Sequence, residues 1–385
     1  MDIHRAKSGR VSGAYLDYQA TTPLAPEAFD AMVPWLRDQF GNPHSAHRMG
    51  RAAAAAVEAA RDDVMAALGV QGGRLVFTSG ATEALNIAIV GAARRARALD
   101  PARRRIVTVD TEHAAVRDTI TALLHDGFEP VLLPVGRDGL VDLDIARAAI
   151  GGETALVATM LVNNEIGVIQ PVDALAAMAA EAGALFLTDA VQGFGRVALP
   201  GGAHMVAISA HKVHGPKGIG ALWLRDGIDL PPLIHGGGQE GGLRSGTLSP
   251  ALCAGFGAAA RLLSARRAQD AAHVEGLWRQ ALGLFSEWTI NGDPDKRYHG
   301  NLNLRRDDID AARLLSECRT VSFSLGSACA SGSGRPSHVL QAIGLSDRQA
   351  RGSVRIGFGR YTTVQELEEG ARAINEAAAR QGAPP

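Results

Sequence analysis

Cysteine is scarce in this chain, with three residues among 385. Cys253, Cys318 and Cys329 are widely separated and form no C-x-x-C pair, which argues against a disulfide framework and against a four-thiolate zinc or iron–sulfur site within one chain. Scattered, unpaired cysteines are typical of a reducing compartment, so we expect the protein in the cytoplasm. No metal site is predicted, although Cys329 is a candidate for a transient cluster ligand.

Long apolar runs and an imbalance of charge are also missing. Charged residues or glycine interrupt every apolar segment well before about eighteen residues, so no membrane span is predicted. No apolar stretch follows the charged residues 1–7, so no signal peptide is predicted. The net charge of −1 gives no sign of nucleic-acid binding. These absences favour a protein that acts on small molecules.

Short β-branched runs alternate with alanine-rich stretches through the first two thirds of the chain. Strands are predicted at residues 74–78, 105–109, 130–134, 154–162, 185–188, 205–209 and 220–224. Helices are predicted at residues 51–68, 81–99, 114–125, 172–182 and about 250–285. Nearly continuous apolar strands separated by helices predict an α/β fold whose seven-stranded sheet is mainly parallel and covered on both faces.

The alternation weakens after about residue 256, which predicts a second, smaller α+β domain. Its strands are expected at residues 301–304, 321–323 and 353–358, and its helices at residues 311–318, 338–343 and 364–380. We therefore expect a large domain over residues 14–255. Residues 1–13 and 256–385 would form the small domain.

Lys212 follows an apolar strand, a position where lysine is unusual. Asp189 follows the apolar strand that precedes it in the sequence. A desolvated lysine amine can lose its proton and form a Schiff base, and a carboxylate can keep a pyridine nitrogen protonated. The pair therefore predicts pyridoxal phosphate and an amino acid substrate. Taken alone, Lys212 could instead extend its amine to solvent, and Asp189 could cap a helix.

Other polar groups also follow strands, at the sheet edge where ligands bind in such folds. Ala81 and Thr82 begin a helix whose free N–H groups suit a phosphate. His113 could stack on a planar ring, and Asn164 could donate to its oxygen. Each has a plainer interpretation. The helix start could bind no ligand, His113 could be a loop histidine whose hydrogen bonds are all made within the protein, and Asn164 could simply lie in a turn.

Cys329 lies among the small residues 326–334, which predict a mobile, exposed loop. An unpaired cysteine there suggests a nucleophile, whereas Cys253 and Cys318 lie in apolar helical stretches and are expected in the core. Arg355 lies within an apolar strand and could bind a substrate carboxylate through two hydrogen bonds. Its plainer alternative is a structural ion pair.

The order of these features along the chain resembles the class I cysteine desulfurases, which are pyridoxal phosphate enzymes of fold type I. The resemblance covers residues 15–363. Its most specific segments are Gly-Asn-Pro-His-Ser at 41–45, Asn-Asn-Glu-Ile-Gly at 163–167, His-Lys at 211–212, Gly-Pro-Lys-Gly at 215–218, Arg-Ser-Gly-Thr at 244–247 and Gly-Ser-Ala-Cys at 326–329. Gln19, Ala210, His214 and Leu325 depart from the usual family residues, and none of them removes a catalytic group.

The resemblance implies a role for each candidate residue. Lys212, Cys329 and His113 would be catalytic, with Lys212 moving the Cα proton and Cys329 accepting sulfur. Arg355 and Asn164 would bind the substrate. The cofactor would be bound by Ala81, Thr82, His113, Asn164, Asp189, Gln192, Ser209, His211 and Lys212, with Thr247 supplied by the second subunit of a homodimer.

The implied reaction converts L-cysteine to L-alanine and leaves a persulfide on Cys329. The sulfur would then pass to an acceptor or scaffold protein for the biosynthesis of iron–sulfur clusters, thio-cofactors or modified tRNA, with no nucleic-acid or membrane partner. Two alternatives stay open. One is another fold type I enzyme, such as an aminotransferase or a selenocysteine lyase. The other is a non-catalytic homologue that acts as a scaffold or regulator.

Overall fold

The computed structural model describes residues 13–326 and 337–382. Its strands are β1 (Ala14–Tyr15), β2 (Arg74–Thr78), β3 (Arg105–Val109), β4 (Glu129–Leu133), β5 (Thr154–Met160), β6 (Leu185–Asp189), β7 (Met205–Ser209), β8 (Gly220–Leu224), β9 (Thr289–Ile290), β10 (Asn301–Arg305), β11 (Val321–Ser322), β12 (Ser324–Leu325) and β13 (Ser353–Gly357). Its α-helices are α1 (Pro26–Arg37), α2 (Arg48–Leu68), α3 (Ala81–Leu99), α4 (Ala114–Ala122), α5 (Leu143–Ala149), α6 (Val172–Glu181), α7 (Pro250–Leu284), α8 (Ala311–Glu317), α9 (His338–Ala342), α10 (Asp347–Arg351) and α11 (Val364–Gly382).

Seven strands form the large sheet, in the order β2-β8-β7-β6-β5-β3-β4. Strand β8 runs antiparallel to both β2 and β7, and the other neighbours pair in parallel. Every residue of β5, β6 and β7 is buried, because helices cover both faces of the sheet. The predicted α/β fold with a mainly parallel sheet is confirmed.

A second, smaller sheet has the order β12-β13-β10-β9, and all its pairs are antiparallel. Its core includes Leu302, Val354 and Ile356, and Ala14 and Leu16 from the start of the described chain pack into the same cluster. Strand β1 pairs in parallel with β11 beside this sheet.

The long helix α7 contributes to both cores. Ser249 caps its start and Pro250 occupies the first turn, where a missing N–H costs nothing. Cys253 and Phe256 belong to the core under the large sheet, whereas Trp278 belongs to the core of the small sheet. The expected domain limit between residues 255 and 256 falls inside this helix and stays a prediction. In the part of the chain that the structure describes, no helix is both long enough and apolar enough to cross a bilayer.

Gly220 allows three backbone segments to meet at the edge of the large sheet. It pairs with Thr78 of β2 on one side and with Ser209 of β7 on the other. A Cβ at this position would lie 2.6 Å from the carbonyl oxygen of Ile208 and 2.7 Å from the carbonyl carbon of Gly80. Only glycine permits this approach, which brings the start of α3 next to the end of β7.

Candidate active site

A cavity of about 490 Å³ opens at the carboxyl ends of β2, β5, β6 and β7. Such an edge is the expected ligand position in a parallel sheet. All the predicted site residues except Thr247 and Cys329 line this cavity, namely Ala81, Thr82, His113, Asn164, Asp189, Gln192, Ser209, His211, Lys212 and Arg355.

Lys212 ends a short 3-10 turn that directly follows β7. Its Nζ donates to the carbonyl oxygens of Gln19, at 2.5 Å, and Ala20, at 2.8 Å. The pKa of this amine is lowered from 10.5 to about 8, chiefly by burial and also by the nearby cations Arg355 and Arg196. A substantial fraction of the amine is therefore neutral, and so nucleophilic, near physiological pH.

Asp189 is the last residue of β6 and is 6% exposed. Burial raises the pKa of its carboxyl group, while a hydrogen bond from the Val191 amide, at 2.9 Å, and the nearby His113 and Lys212 act in the opposite direction. A buried carboxylate of this kind is stabilised by a cationic partner in the cavity. His113 caps α4, and its Nδ1 accepts from the Ala115 amide at 3.0 Å, so a neutral ring carries its proton on Nε2.

The start of α3 presents backbone N–H groups to the cavity at Ala81 and Thr82. No side chain caps this helix at Gly80, so these donors are available to a ligand. Ser79, which lies just before the helix, donates its amide to the Glu83 carboxylate at 2.7 Å. The arrangement suits an anionic group such as a phosphate.

His211 and Gln192 line the floor of the cavity. Nδ1 of His211 lies 3.1 Å from the Thr21 hydroxyl, and burial lowers the pKa of its imidazole to about 4, with help from Lys212. The ring is therefore neutral at pH 7. Gln192 donates through Nε2 to the carbonyl oxygen of Gln19 at 2.9 Å.

Arg355 lies in β13 and is 1% exposed. Nη2 donates to Oδ1 of Asp17, at 2.8 Å, and to the Ser324 hydroxyl, at 3.1 Å, while Nη1 donates to the carbonyl oxygen of Asn164 at 2.9 Å. Its Nε has no hydrogen-bond partner among the described residues. Arg355 therefore does form a structural ion pair, with Asp17, which was the plainer interpretation of this residue. It also lines the cavity.

Two predicted residues do not line the cavity. Thr247 is exposed, in the glycine-rich loop that follows Arg244. Cys329 lies outside the described residues, so its predicted role stays a prediction. Cys253 and Cys318 are both free and buried, as expected for core residues.

The structure adds site residues that sequence reasoning missed. Asp17 and Gln19 contact Arg355 and Lys212 from a segment near the start of the chain. Lys217 lines the cavity within a motif that had been quoted only for the resemblance. Glu112 is fully buried behind the cavity, where its Oε1 accepts from the Met160 amide at 2.7 Å and burial raises the pKa of its carboxyl group. The only sequence feature that could have indicated a role for Glu112 is its position directly before His113.

Comparisons with known proteins agree on one family. The sequence model of the aminotransferase class-V family matches residues 14–369. The cysteine desulfurase IscS of Rickettsia bellii is 41% identical over 94% of this chain and 90% of the relative. A probable mitochondrial cysteine desulfurase of Schizosaccharomyces pombe is 42% identical over 92% of this chain and 72% of the relative.

Solved structures support the same conclusion. A structure described as a NifS-like protein superposes with a TM-score of 0.88 at 31% identity, and the match covers 96% of this chain and all of the other. The predicted fold type I architecture and the predicted pyridoxal phosphate cofactor are thereby confirmed. The chain belongs to the aminotransferase class-V family and, within it, to the pyridoxal phosphate-dependent cysteine desulfurases.

Proposed function

We propose that the cavity converts L-cysteine to L-alanine and passes the sulfur to Cys329 as a persulfide. One observation carries this proposal: Lys212, Asp189 and Arg355, which are three groups suited to amino acid chemistry, line a single cavity. In the net reaction, a carbon–sulfur bond of cysteine breaks, a sulfur–sulfur bond forms on Cys329, and Cβ of the product gains a proton.

The residues that line the cavity fit pyridoxal phosphate. The buried carboxylate of Asp189 suits a protonated pyridine nitrogen, and the uncapped start of α3 suits a phosphate. When bound, this cofactor supplies a ring that withdraws electrons from Cα of an amino acid. The residues proposed to hold it are Ala81, Thr82, His113, Asn164, Asp189, Gln192, Ser209, His211 and Lys212, with Thr247 of a second copy of this chain.

Lys212 is the proposed base for the Cα proton. Its amine loses a proton near pH 8, and the carbonyl oxygens of Gln19 and Ala20 fix the position of Nζ. The same amine can return the proton to the product, because its pKa lies close to the working pH.

Arg355 is the proposed site for the substrate carboxylate. Asp17, Ser324 and the Asn164 carbonyl hold its guanidinium on one side. A guanidinium has five N–H donors, and the second N–H of Nη1 makes none of these contacts, so it remains for the substrate. Because the existing contacts fix the plane of the group, a carboxylate bound there has a defined orientation.

The described residues that flank Cys329 support its proposed role. The Gly326 amide donates to the Ser353 carbonyl at 2.8 Å, and Ser353 lies in the same strand as Arg355. Cys329 is three positions after Gly326, so their Cα atoms can be at most about 11 Å apart. The covalent chain is therefore short enough to keep the proposed nucleophile near the strand that contains Arg355.

The test compares cysteine variants of the purified holoenzyme. After addition of L-cysteine, we expect Cys329→Ala to form almost no alanine and to carry no protein-bound persulfide by mass spectrometry. Cys318→Ala is the matched control, and it should behave like the wild-type protein because its thiol is buried in the core of the small sheet. Alanine formation at the wild-type rate by Cys329→Ala would show that another group accepts the sulfur.

A homodimer is part of the proposal. Phe29, Leu36 and Phe40 are 53%, 66% and 81% exposed, which is unusual for a cluster of large apolar side chains and typical of an interface. Thr247 is likewise exposed, as a residue that reaches a neighbouring subunit must be. Light scattering should give twice the mass of one chain for the wild-type protein and a lower mass for Phe40→Asp. A monomeric wild-type protein would contradict the proposal.

The proposed acceptor is a protein that takes sulfur from Cys329. The resemblance to class I cysteine desulfurases gives the candidate classes, which are an iron–sulfur scaffold and a thio-cofactor or tRNA-modifying protein. We propose the cytoplasm as the location because the described thiols, Cys253 and Cys318, are unpaired. Co-purification from the native cell without reducing agent, followed by mass spectrometry, would identify the acceptor.

A further inference from the structure

A second cavity of about 290 Å³ lies on the opposite side of the loop that carries Lys212. It opens between this loop, helix α7 and the segment before β10. Its walls include the apolar side chains of Val197, Val213, Leu263 and Val274. Its volume is at the lower end of the range for ligand sites, about 300–1,000 Å³, so it suits a small molecule.

Arg297 lines this second cavity and is 4% exposed. Its Nη atoms donate only to backbone carbonyl oxygens, with the shortest bond, 2.6 Å, to Ile166. Within residues 13–326 and 337–382, no carboxylate lies within ion-pair distance of its guanidinium, and its Nε has no partner. The Asp293 carboxylate acts on this charge without forming an ion pair, and a buried charge is costly, so a bound anion would stabilise the group further.

Arg360 provides a second, independent donor. Its side chain is 2% exposed, and its Nε and Nη2 donate to Oδ2 of Asp270 at 2.8 and 2.7 Å. Its Nη1 has no hydrogen-bond partner among the described residues, although buried donors almost always have one. Other atoms of Arg360 line the second cavity, so a modest rotation of the side chain would bring this buried, unpartnered donor to a ligand there.

The backbone beside the second cavity is strained. His214 has a φ of 66°, a conformation that residues other than glycine seldom adopt. Its imidazole is nearly buried, and Nδ1 lies 2.9 Å from the Pro23 carbonyl oxygen. Strain of this kind persists where the surroundings impose it, and it is concentrated at ligand sites.

The charges around the second cavity are unequal. Four arginines line it, Arg196, Arg267, Arg297 and Arg360, against the two carboxylates of Asp270 and Glu275. Asp270 is paired with Arg360, and Glu275 with His299 at 2.6 Å. The excess is positive, and the apolar walls provide a surface that an inorganic ion would not use.

We propose that the second cavity binds a small organic carboxylate, whose oxygens accept from Arg360 and lie near the positive charge of Arg297, and whose apolar part packs against Val213 and Val274. This site is separate from the proposed reaction, and its occupant is a carboxylate of a few carbon atoms. Inorganic anions share only the charge, so they should bind more weakly.

Arg196 connects the second cavity to the active site. Its guanidinium lies over the Tyr298 ring, 5.1 Å from the centroid, in the wall of the second cavity. Its Nη2 donates to the carbonyl oxygen of Lys212 at 2.5 Å, and its Nη1 donates to Oε1 of Gln192 at 3.1 Å. A carboxylate in the second cavity would draw Arg196 away from these acceptors. The affinity of the active site for L-cysteine should therefore change, a consequence that rests on the proposed function.

The test is isothermal titration of the holoenzyme with sodium butyrate at constant ionic strength, with sodium chloride and sodium phosphate as comparison salts. We expect saturable binding of butyrate. Arg360→Gln should weaken binding at least about tenfold, which is about 1.4 kcal/mol. Arg261→Gln is the matched control, because it also removes an arginine that is paired with an aspartate, here Asp63, but it does not line the cavity.

A second variant guards against a folding defect. Ala271 lines the second cavity from the exposed face of α7, so Ala271→Phe fills the space and removes no charge. It should abolish butyrate binding and also abolish any effect of butyrate on the KM for L-cysteine. No binding to the wild-type protein, equal binding of all three salts, or unchanged binding by Ala271→Phe would each overturn the site. These calorimetric results hold whether or not the proposed reaction is correct.

Discussion

The environment of Lys212 makes a quantitative prediction for the protein without its cofactor. Its pKa is lowered from 10.5 to about 8, chiefly by burial. This difference corresponds to about 3 kcal/mol of preference for the neutral amine. At pH 7.5, about a quarter of the Lys212 amine would be neutral, compared with roughly one part in a thousand for a free lysine.

Competitive labelling can measure this difference directly. The chain has four lysines, Lys7, Lys212, Lys217 and Lys296, so each peptide is easily resolved by mass spectrometry. Trace acetic anhydride would be added to the apoprotein over a range of pH, with N-acetyl-lysine amide as an internal standard. Labelling of Lys212 should rise with pH and reach half its maximum near pH 8, because protonation blocks the amine below its pKa.

Variants separate the causes of the shift. Nearby cations disfavour the charged amine, so Arg355→Gln and Arg196→Gln should move the midpoint to higher pH. Arg261→Gln should leave the midpoint unchanged, because Arg261 does not line the active-site cavity and pairs instead with Asp63. A wild-type midpoint at the pH of the free standard would refute the inference that burial tunes this amine.

Two further predictions concern stability and cofactor retention. Glu240→Ala should lower the free energy of unfolding by about 3–5 kcal/mol, because the Glu240 carboxylate is buried and accepts two hydrogen bonds from Arg61 at 2.8 Å. Glu58→Ala removes an exposed partner of the same arginine and should cost less than about 1 kcal/mol, so equal urea midpoints would contradict this reasoning. Gly220→Ala forces a Cβ against the backbone and should cost about 1–3 kcal/mol and speed the loss of the visible cofactor band on dialysis. Gly151→Ala is its control because nothing lies within 4 Å of the added carbon, and similar retention by both variants would show that the contact is not limiting.

Local sequence patterns were sufficient to predict most of the large sheet. Strands β2, β3, β7 and β8 begin and end at the predicted residues, because each is an apolar run bounded by turn residues or charges. Strand β6 includes Asp189, which the prediction had placed just outside. The backbone of Asp189 pairs with Met160 on one side and with Ala207 on the other, and neither partner could be inferred from the local sequence.

The order of the strands explains why the site could also be predicted. Residues at the carboxyl ends of parallel strands converge at one edge, so Thr82, His113 and Asp189 meet without any knowledge of their side-chain contacts. The hydrogen-bond partners of Lys212, in contrast, could not be predicted. They are backbone carbonyl oxygens of residues nearly two hundred positions earlier, and every residue has such an oxygen. No sequence pattern distinguishes them.

The limits of the two cores were harder to predict for a related reason. The alternation of strands and helices weakens near residue 256, yet this point lies inside α7, which is 35 residues long. A helix satisfies its own backbone hydrogen bonds, so it can pass from one core to the other without a turn. The sequence shows the change in its surroundings and not the continuity of the helix.

The position of β8 has a consequence for synthesis on the ribosome. Strand β2 ends at Thr78, and among the described strands it pairs only with β8, which begins at Gly220. At about 5–20 residues per second, β2 waits roughly 7–30 seconds for that partner, with an unpaired edge that is prone to association with other chains. The start of α3 directly follows β2, so the proposed phosphate-binding end of the pocket forms only after β8 has emerged. We therefore expect cofactor loading to follow synthesis of most of the chain, and nascent chains that stop before residue 220 to depend on chaperones.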